Sequence, residues 1–228
     1  MHTEDYIRET TGLLLVDPYN DFLSPTGKLW PRAKEVAEEV NLLTNLKSIV
    51  DAARQSGVRI FIVPHHRWEP GDYTHWKHAT PRQLAGAENQ IFAKDTWGGD
   101  WHPDFVPQEG DIIIKEHWAQ SGFANTDLDQ QLKQHGIQKI ILIGMLANTC
   151  IESTGRFGME LGYHVTLVKD ATAAESWEAM HAAELNGPTF AHTVLTTQEL
   201  LAILTPAVTN RDSGMPSSSR SDNATGQI

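Results

Sequence analysis

Short apolar runs rich in β-branched residues alternate with amphipathic helical patterns along most of this 228-residue chain. Strands joined through helices pair in parallel, and the connecting helices then cover both faces of the sheet. The pattern therefore predicts a three-layer α/β/α fold with a six-stranded, mainly parallel, doubly wound sheet. The predicted strands are residues 12–16, 58–63, 111–115, 139–143, 164–168 and 193–195.

The six predicted strands and the helices between them form one domain. Residues 64–110, rich in Trp, His, Pro and Gly, are predicted to be irregular. We expect the domain to span residues 1–208. Residues 209–228 are predicted to be a disordered tail, because almost no apolar side chain is present to offset the entropy of ordering. The predicted helices are residues 32–56, 126–135, 150–161, 175–186 and 197–204.

Charge and composition exclude several classes of partner. The chain has 18 Lys and Arg against 29 Asp and Glu, a formal net charge of −11. Nucleic acids and anionic membranes need a basic face, so neither is expected to bind. No signal peptide is visible, and the longest apolar stretch, residues 140–147, is much shorter than the roughly 20 residues of a membrane span. A cytoplasmic homo-oligomer acting on a small molecule is expected.

Three chemically useful side chains follow predicted strands. Asp17 follows the first strand, Lys115 ends the third and Cys150 comes shortly after the fourth. Ligands of such sheets bind outside the carboxyl ends of the strands, so the three residues are expected at one edge. Each has an ordinary structural explanation as well: an Asx-turn, an exposed strand end and a small buried hydrophobe.

Cys150 is the only cysteine of the chain and follows a strand, a glycine and a short turn. It is expected to open the next helix, where unpaired backbone N–H groups and the helix dipole lower the pKa of a thiol. This context is typical of a nucleophile as well as of a buried core residue.

Taken together, the motifs resemble those of the isochorismatase-like cysteine hydrolases, which include nicotinamidases, N-carbamoylsarcosine and ureidoacrylate hydrolases, and isochorismatases. The segment D-P-Y-N-D-F-L from Asp17 looks like the family's opening motif. Lys115 followed by S-G-F-A-N-T-D-L from Ser121 looks like its lysine strand. The run G-M-L-A-N-T-C-I-E-S-T from Gly144 looks like its nucleophile loop. The resemblance covers roughly residues 10–204.

The resemblance implies a catalytic triad of Asp17, Lys115 and Cys150. Cys150 would attack a carbonyl carbon of an amide, carbamoyl or ureido group, Asp17 would move the protons, and Lys115 would offset negative charge. The backbone N–H groups of Ala147 and Cys150 would form the oxyanion hole. The resemblance also implies a cis peptide bond between Leu146 and Ala147.

Departures from the family pattern leave alternatives open. No cofactor is expected. No metal site is expected either, because the Asp-x-His segment of metal-binding relatives is replaced by His65-His66-Arg67. The nearby His75, His78 and His102 are the side chains that leave a metal site as an alternative. Hydrolysis of a vinyl ether, as in isochorismatases, and a catalytically silent binding protein are the alternative functions. Five large or polar side chains are expected to line the substrate pocket: Phe22, Trp68, Trp118, Phe123 and Asn148. For the tryptophans, packing in the core or at a subunit interface is equally open.

Overall fold

The sheet confirms the predicted fold class. A computed structural model describes residues 6–205 of the chain, so the predicted tail and the outer limits of the predicted domain lie outside the described residues. Six strands pair in parallel, in the order β3-β2-β1-β4-β5-β6. They are β1 (Thr11–Val16), β2 (Arg59–Val63), β3 (Ile112–Ile113), β4 (Lys139–Met145), β5 (His164–Ala173) and β6 (Thr193–Leu195).

Helices cover both faces of the sheet. Alternate side chains of β1 point to opposite faces, so Leu13 belongs to one hydrophobic core and Leu14 to the other. Helices α2, α3, α7 and α8 contribute to the first core and α5 to the second. The helices are α1 (Asn20–Leu23), α2 (Trp30–Glu39), α3 (Leu42–Ser56), α4 (Pro81–Glu88), α5 (Leu128–Gln134), α6 (Glu152–Glu160), α7 (Trp177–Asn186) and α8 (Thr197–Leu204).

The long helix predicted over residues 32–56 is two helices. Asn41 has a left-handed backbone conformation with φ of 55°, which breaks the helix between α2 and α3. Asparagine tolerates this conformation because its short polar side chain can bond locally. The apolar spacing continues across the break, which is why the sequence alone predicted a single helix.

The stretch predicted to be irregular contains a helix, α4, with a complete capping box. The Thr80 hydroxyl accepts a hydrogen bond from the Gln83 backbone N–H at 3.2 Å, and the Thr80 N–H donates to Oε1 of Gln83 at 2.9 Å. No residue of α4 is buried, so it lacks the wide apolar stripe by which an amphipathic helix is recognised.

The turn after β4 differs from the prediction. Gly144 has φ of 120° and passes so close to β1 that a Cβ would lie 2.2 Å from the Val16 carbonyl oxygen, so only glycine fits. The cis peptide bond is Met145–Leu146, one residue earlier than expected. A π-helical turn, Ala147–Ile151, then leads into α6, so Cys150 lies one turn before the helix that it was expected to open. No helix within residues 6–205 is long and apolar enough to cross a membrane.

Candidate active site

Asp17, His117 and Cys150 meet at the carboxyl edge of the sheet. A carboxylate oxygen, a ring nitrogen and the sulfur of the three residues lie within 4.8 Å of one another. Asp17 and His117 have no exposed surface, and Cys150 is 6% exposed. His117 Nε2 lies 3.0 Å from Asp17 Oδ1. Strand ends of the parallel sheet thus bring together an acid, an imidazole and a thiol from distant parts of the sequence.

Lys115 is not part of this group, which corrects the prediction. It is exposed, and its backbone N–H donates to Asp127 Oδ1 at 2.8 Å. The physical reason is the shortness of the edge strand β3: buried Ile114 is followed by exposed Lys115, and the chain turns back toward the sheet only at His117. A second basic side chain close behind the lysine was the available signal, because histidine can also carry a positive charge.

His117 is held by backbone pairing beyond the end of β2. Its N–H donates to the Pro64 carbonyl at 2.9 Å, and its own carbonyl accepts from the His66 N–H at 2.8 Å. The ring is fixed at both nitrogens, because Nδ1 lies 3.2 Å from the Ala119 carbonyl and Nε2 faces the Asp17 carboxylate. A carbonyl can only accept, as can an ionised carboxylate, so the arrangement fits a doubly protonated, positively charged imidazolium.

Asp17 turns its carboxylate inward through a left-handed backbone conformation, with φ of 54°. Its N–H donates to the Val63 carbonyl at 3.0 Å, which extends the pairing of β1 with β2. Oδ1 bonds to His117, whereas Oδ2 is buried and has no hydrogen-bonding nitrogen or oxygen partner within the described residues. Buried polar atoms are seldom left in this state, and Oδ2 is therefore available for a proton or a ligand.

Cys150 is a thiol in the resting state, contrary to the expectation of a lowered pKa. Burial raises its pKa well above the ordinary value, and the negative charge of Asp17 and a hydrogen bond to that carboxylate raise it further. The Thr149 hydroxyl and the Leu146 backbone N–H act in the opposite direction without prevailing. The thiol therefore needs a base, and Asp17 is in contact with it.

The two backbone donors predicted for an oxyanion hole are placed differently. Leu146 and Cys150 line one cavity together, and the Leu146 N–H points at the Cys150 sulfur. Ala147 instead lines a separate cavity of about 320 Å³ against β5 and α7. The structure thus places Leu146, and not Ala147, in the lining of the cavity that Cys150 shares.

The cavity above Cys150 has a volume of about 610 Å³, enough for a small organic molecule. Phe22 and Trp68, two of the residues expected to line a substrate pocket, are in its lining. Trp118 lies outside the lining and stacks on His66, with 3.6 Å between ring centroids. The prediction was wrong for Phe123, which packs in the second core against Phe157, and Asn148 also lies outside the lining.

His65 is a cavity residue that the sequence analysis did not assign to the pocket. Burial, and after it the charge of the neighbouring His117, lower its pKa to about 4, so the ring is neutral at pH 7. Nδ1 lies 2.9 Å from the His66 carbonyl, which can only accept, so Nδ1 carries the proton. Nε2 is therefore a hydrogen-bond acceptor on a residue that lines the same cavity as Cys150.

The three histidines that left a metal site as an alternative, His75, His78 and His102, do not form a cluster with one another. His75 and His78 are exposed, and His102 Nδ1 accepts from the Asp104 N–H at 3.3 Å. Within residues 6–205, the only group of three or more His, Cys, Asp or Glu side chains close enough to share an ion is the one at Cys150.

Comparisons with known proteins identify the family of the chain. Residues 11–199 match the model of the isochorismatase domain. The ureidoacrylate amidohydrolase RutB of Pantoea ananatis is 30% identical over 193 residues, which cover 80% of this chain and 77% of the relative. RutB of Caulobacter segnis is 29% identical, with 78% of each chain covered. The crystal structure of a cysteine hydrolase from Pseudomonas syringae pv. phaseolicola 1448A superposes with a TM-score of 0.74 at 26% identity, covering 88% of this chain and 95% of that one.

Proposed function

The chain belongs to the isochorismatase family of hydrolases, and we propose that it cleaves a C–N bond of a small amide, carbamoyl or ureido compound with Cys150 as the nucleophile. The observation that carries this proposal is the buried contact between the Cys150 thiol and the Asp17 carboxylate at the base of the cavity. The relatives named as ureidoacrylate amidohydrolases support this bond type over the vinyl ether.

The proposed chemistry moves protons through Asp17 and places a transient negative charge on the carbonyl oxygen. Asp17 accepts the thiol proton as the sulfur attacks the carbonyl carbon, and a C–S bond forms. The oxyanion that develops is met by the backbone N–H groups of Leu146 and Cys150. Asp17 then gives its proton to the leaving nitrogen, the C–N bond breaks, and a thioester or thiocarbamate remains. Asp17 next activates a water molecule that hydrolyses this intermediate and regenerates the thiol.

His117 supplies the positive charge that the resemblance assigned to Lys115. The charged imidazolium lies against Asp17 and near Cys150, so it stabilises whichever of the two is ionised during the proton transfer. A histidine can do this only while it is protonated, whereas a lysine would stay charged to much higher pH.

His117→Ala and His117→Lys form a matched pair that tests this assignment. Alanine removes the cation and is expected to lower kcat/KM by roughly 10²-fold or more. Lysine restores a cation and is expected to recover part of the loss and to extend activity to more alkaline pH. The measurement is the pH profile of kcat/KM for the three proteins. Equal loss in both variants, with an unchanged profile, would contradict a role for the charge.

The charges around the cavity favour a substrate with a carboxylate. Two basic residues that line the cavity, Arg32 and Arg82, share one partner, Glu175, at 4.0 and 2.9 Å. No Asp or Glu is among the described residues of the lining. The positive charges of His66, also in the lining, and of its neighbour Arg67 are balanced by Asp72 and Glu116, so one positive charge remains uncompensated. We therefore extend the proposal to ureido or amido acids.

Arg82→Gln tests the selection for an anionic substrate. We expect the variant to raise KM for a substrate that carries a carboxylate by about tenfold, since a charge-assisted hydrogen bond contributes on the order of 1.5–3 kcal/mol when both partners are held. KM for the corresponding neutral amide should change less than twofold. Steady-state kinetics with the acid and its amide decide the point, and an equal change for both would contradict it.

A substrate panel tests the proposed function itself. Ureidoacrylate, N-carbamoyl amino acids, neutral carboxamides and isochorismate are offered to the protein, and release of ammonia, amine or pyruvate is measured. We expect turnover of a ureido or amido acid and a covalent adduct on Cys150 in the intact-protein mass spectrum. Turnover of isochorismate alone would favour vinyl-ether hydrolysis, and no turnover at all would favour a silent binding protein.

The proposed chemistry needs no metal, because protein groups supply the nucleophile, the acid–base group and the oxyanion donors. Exhaustive chelation is therefore expected not to lower kcat/KM. A loss of activity on chelation that added metal restores would contradict this.

The cytoplasmic location and the homo-oligomeric state, expected to be a dimer or tetramer, also belong to the proposal. Light scattering after size-exclusion chromatography tests the second.

A further inference from the structure

We propose that Asp17, His117 and Cys150 also form a binding site for a single zinc ion, and that zinc bound there blocks the thiol. The binding site follows from the donor atoms alone. The inhibitory effect rests on the proposed function, because it requires Cys150 to be the nucleophile.

The three donors are those that zinc prefers. Carboxylate oxygen, imidazole nitrogen and thiolate sulfur bind zinc at about 2.0–2.3 Å, which sets two ligand atoms of one ion roughly 3.3–3.8 Å apart. The corresponding atoms here lie within 4.8 Å of one another, and His117 Nε2 and Asp17 Oδ1 are 3.0 Å apart. Small rotations of the side chains would therefore complete the coordination.

The surroundings already orient two of the ligands. The Ala119 carbonyl fixes a proton on His117 Nδ1, which leaves Nε2 as the atom that can bind the ion. A carbonyl behind the far ring nitrogen is the usual support of a zinc-binding histidine. Asp17 is fully buried, and its Oδ2 has no nitrogen or oxygen partner among residues 6–205. An ion would give this oxygen a ligand in place of the thiol proton that lies nearby.

The fourth coordination position would face the substrate cavity, since Cys150 is the member of the group that lines it. Three protein ligands and one open position are the arrangement of accessible zinc sites. Binding replaces the proton of the Cys150 thiol and the Nε2 proton of His117, and both are released to solvent. Zinc then draws electron density from the sulfur and occupies its side facing the other ligands, so Cys150 attacks a carbonyl or an alkylating agent much more slowly.

The identity of residue 117 decides whether this site exists. A lysine in its place would present a protonated amine, which repels a divalent cation and loses its own charge only at high pH. The same substitution keeps a positive charge beside Asp17. His117→Lys is therefore the variant that removes the zinc site while preserving the charge pattern of the group.

The test uses the full-length, metal-free protein. Isothermal titration with zinc chloride is expected to give one site per chain, with affinity at least 100-fold weaker in His117→Lys and in Cys150→Ser. Cobalt(II) is the spectroscopic probe: an intense thiolate-to-cobalt absorption should appear in the wild type and be absent from Cys150→Ser. His75→Asn/His78→Asn, which changes only exposed residues, is the matched control and should bind like the wild type.

Alkylation gives a readout that does not depend on the substrate. One equivalent of zinc should slow the reaction of Cys150 with iodoacetamide at least tenfold in the wild type and less than twofold in His117→Lys. No binding, binding without the thiolate–cobalt absorption, or loss of binding in the surface double variant would each overturn the proposal. Zinc binding with full hydrolase activity would overturn the inhibitory part and the nucleophile assignment, and leave the site intact.

Discussion

Cys150→Ala is expected to lower kcat/KM by at least about 10³-fold, because removal of a nucleophile in comparable catalytic groups leaves only the contribution of binding and oxyanion donors. Cys150→Ser is expected to be almost as inactive. The serine hydroxyl is harder to ionise than the thiol, and Asp17 is too weak a base to take its proton. The measurement is steady-state turnover of the substrate identified from the panel.

The control for this prediction is the fold. Cys150 is nearly buried and packs in the second core, so the far-ultraviolet circular dichroism and the Tm of each variant are compared with those of the wild type. Loss of activity with a Tm within a few degrees supports the nucleophile. If Cys150→Ala keeps more than a few per cent of wild-type turnover, the thiol is not the nucleophile and acid-assisted ether hydrolysis becomes the better explanation.

Asp17→Asn is expected to abolish turnover to the same extent and to increase the reactivity of the thiol. The amide can neither take nor return a proton, so the catalytic cycle stops. The Asp17 carboxylate raises the pKa of Cys150 through its charge and hydrogen bond, so its removal lowers that pKa. At a fixed neutral pH more thiolate is then present, and iodoacetamide should react several-fold faster.

The Tm separates a proton-transfer role from a structural one. A variant that had merely lost its packing would also be inactive with a more reactive thiol, but its Tm would be lowered, whereas Asp17→Asn is expected to keep the Tm of the wild type within a few degrees. The double variant Asp17→Asn/Cys150→Ala should be no worse than either single variant, since residues that act as one unit lose their function together. Slower alkylation in Asp17→Asn would show that Asp17 activates the thiol toward any electrophile, and the charge argument would be wrong.

The sequence by itself determined the fold and two members of the candidate site. Alternating strand and helix periods specify a parallel sheet with helices on both faces, because a crossover between parallel strands needs a connecting helix. Asp17 and Cys150 could be predicted because each follows a mostly apolar, buried central strand, β1 or β4. The carboxyl ends of such strands meet at one edge of the sheet, whatever the details of the loops.

The tertiary structure alone decided the third member and the state of the thiol. Strand β3 pairs over only two residues, so the pattern of residues 111–115 does not reveal that the chain returns to the sheet at His117, not Lys115. The thiol pKa likewise depends on burial and on the nearby charge of Asp17, which comes from a strand 133 residues earlier. Short-range sequence patterns contain the periods of strands and helices, whereas edge-strand register and electrostatic environment arise only from contacts between distant segments.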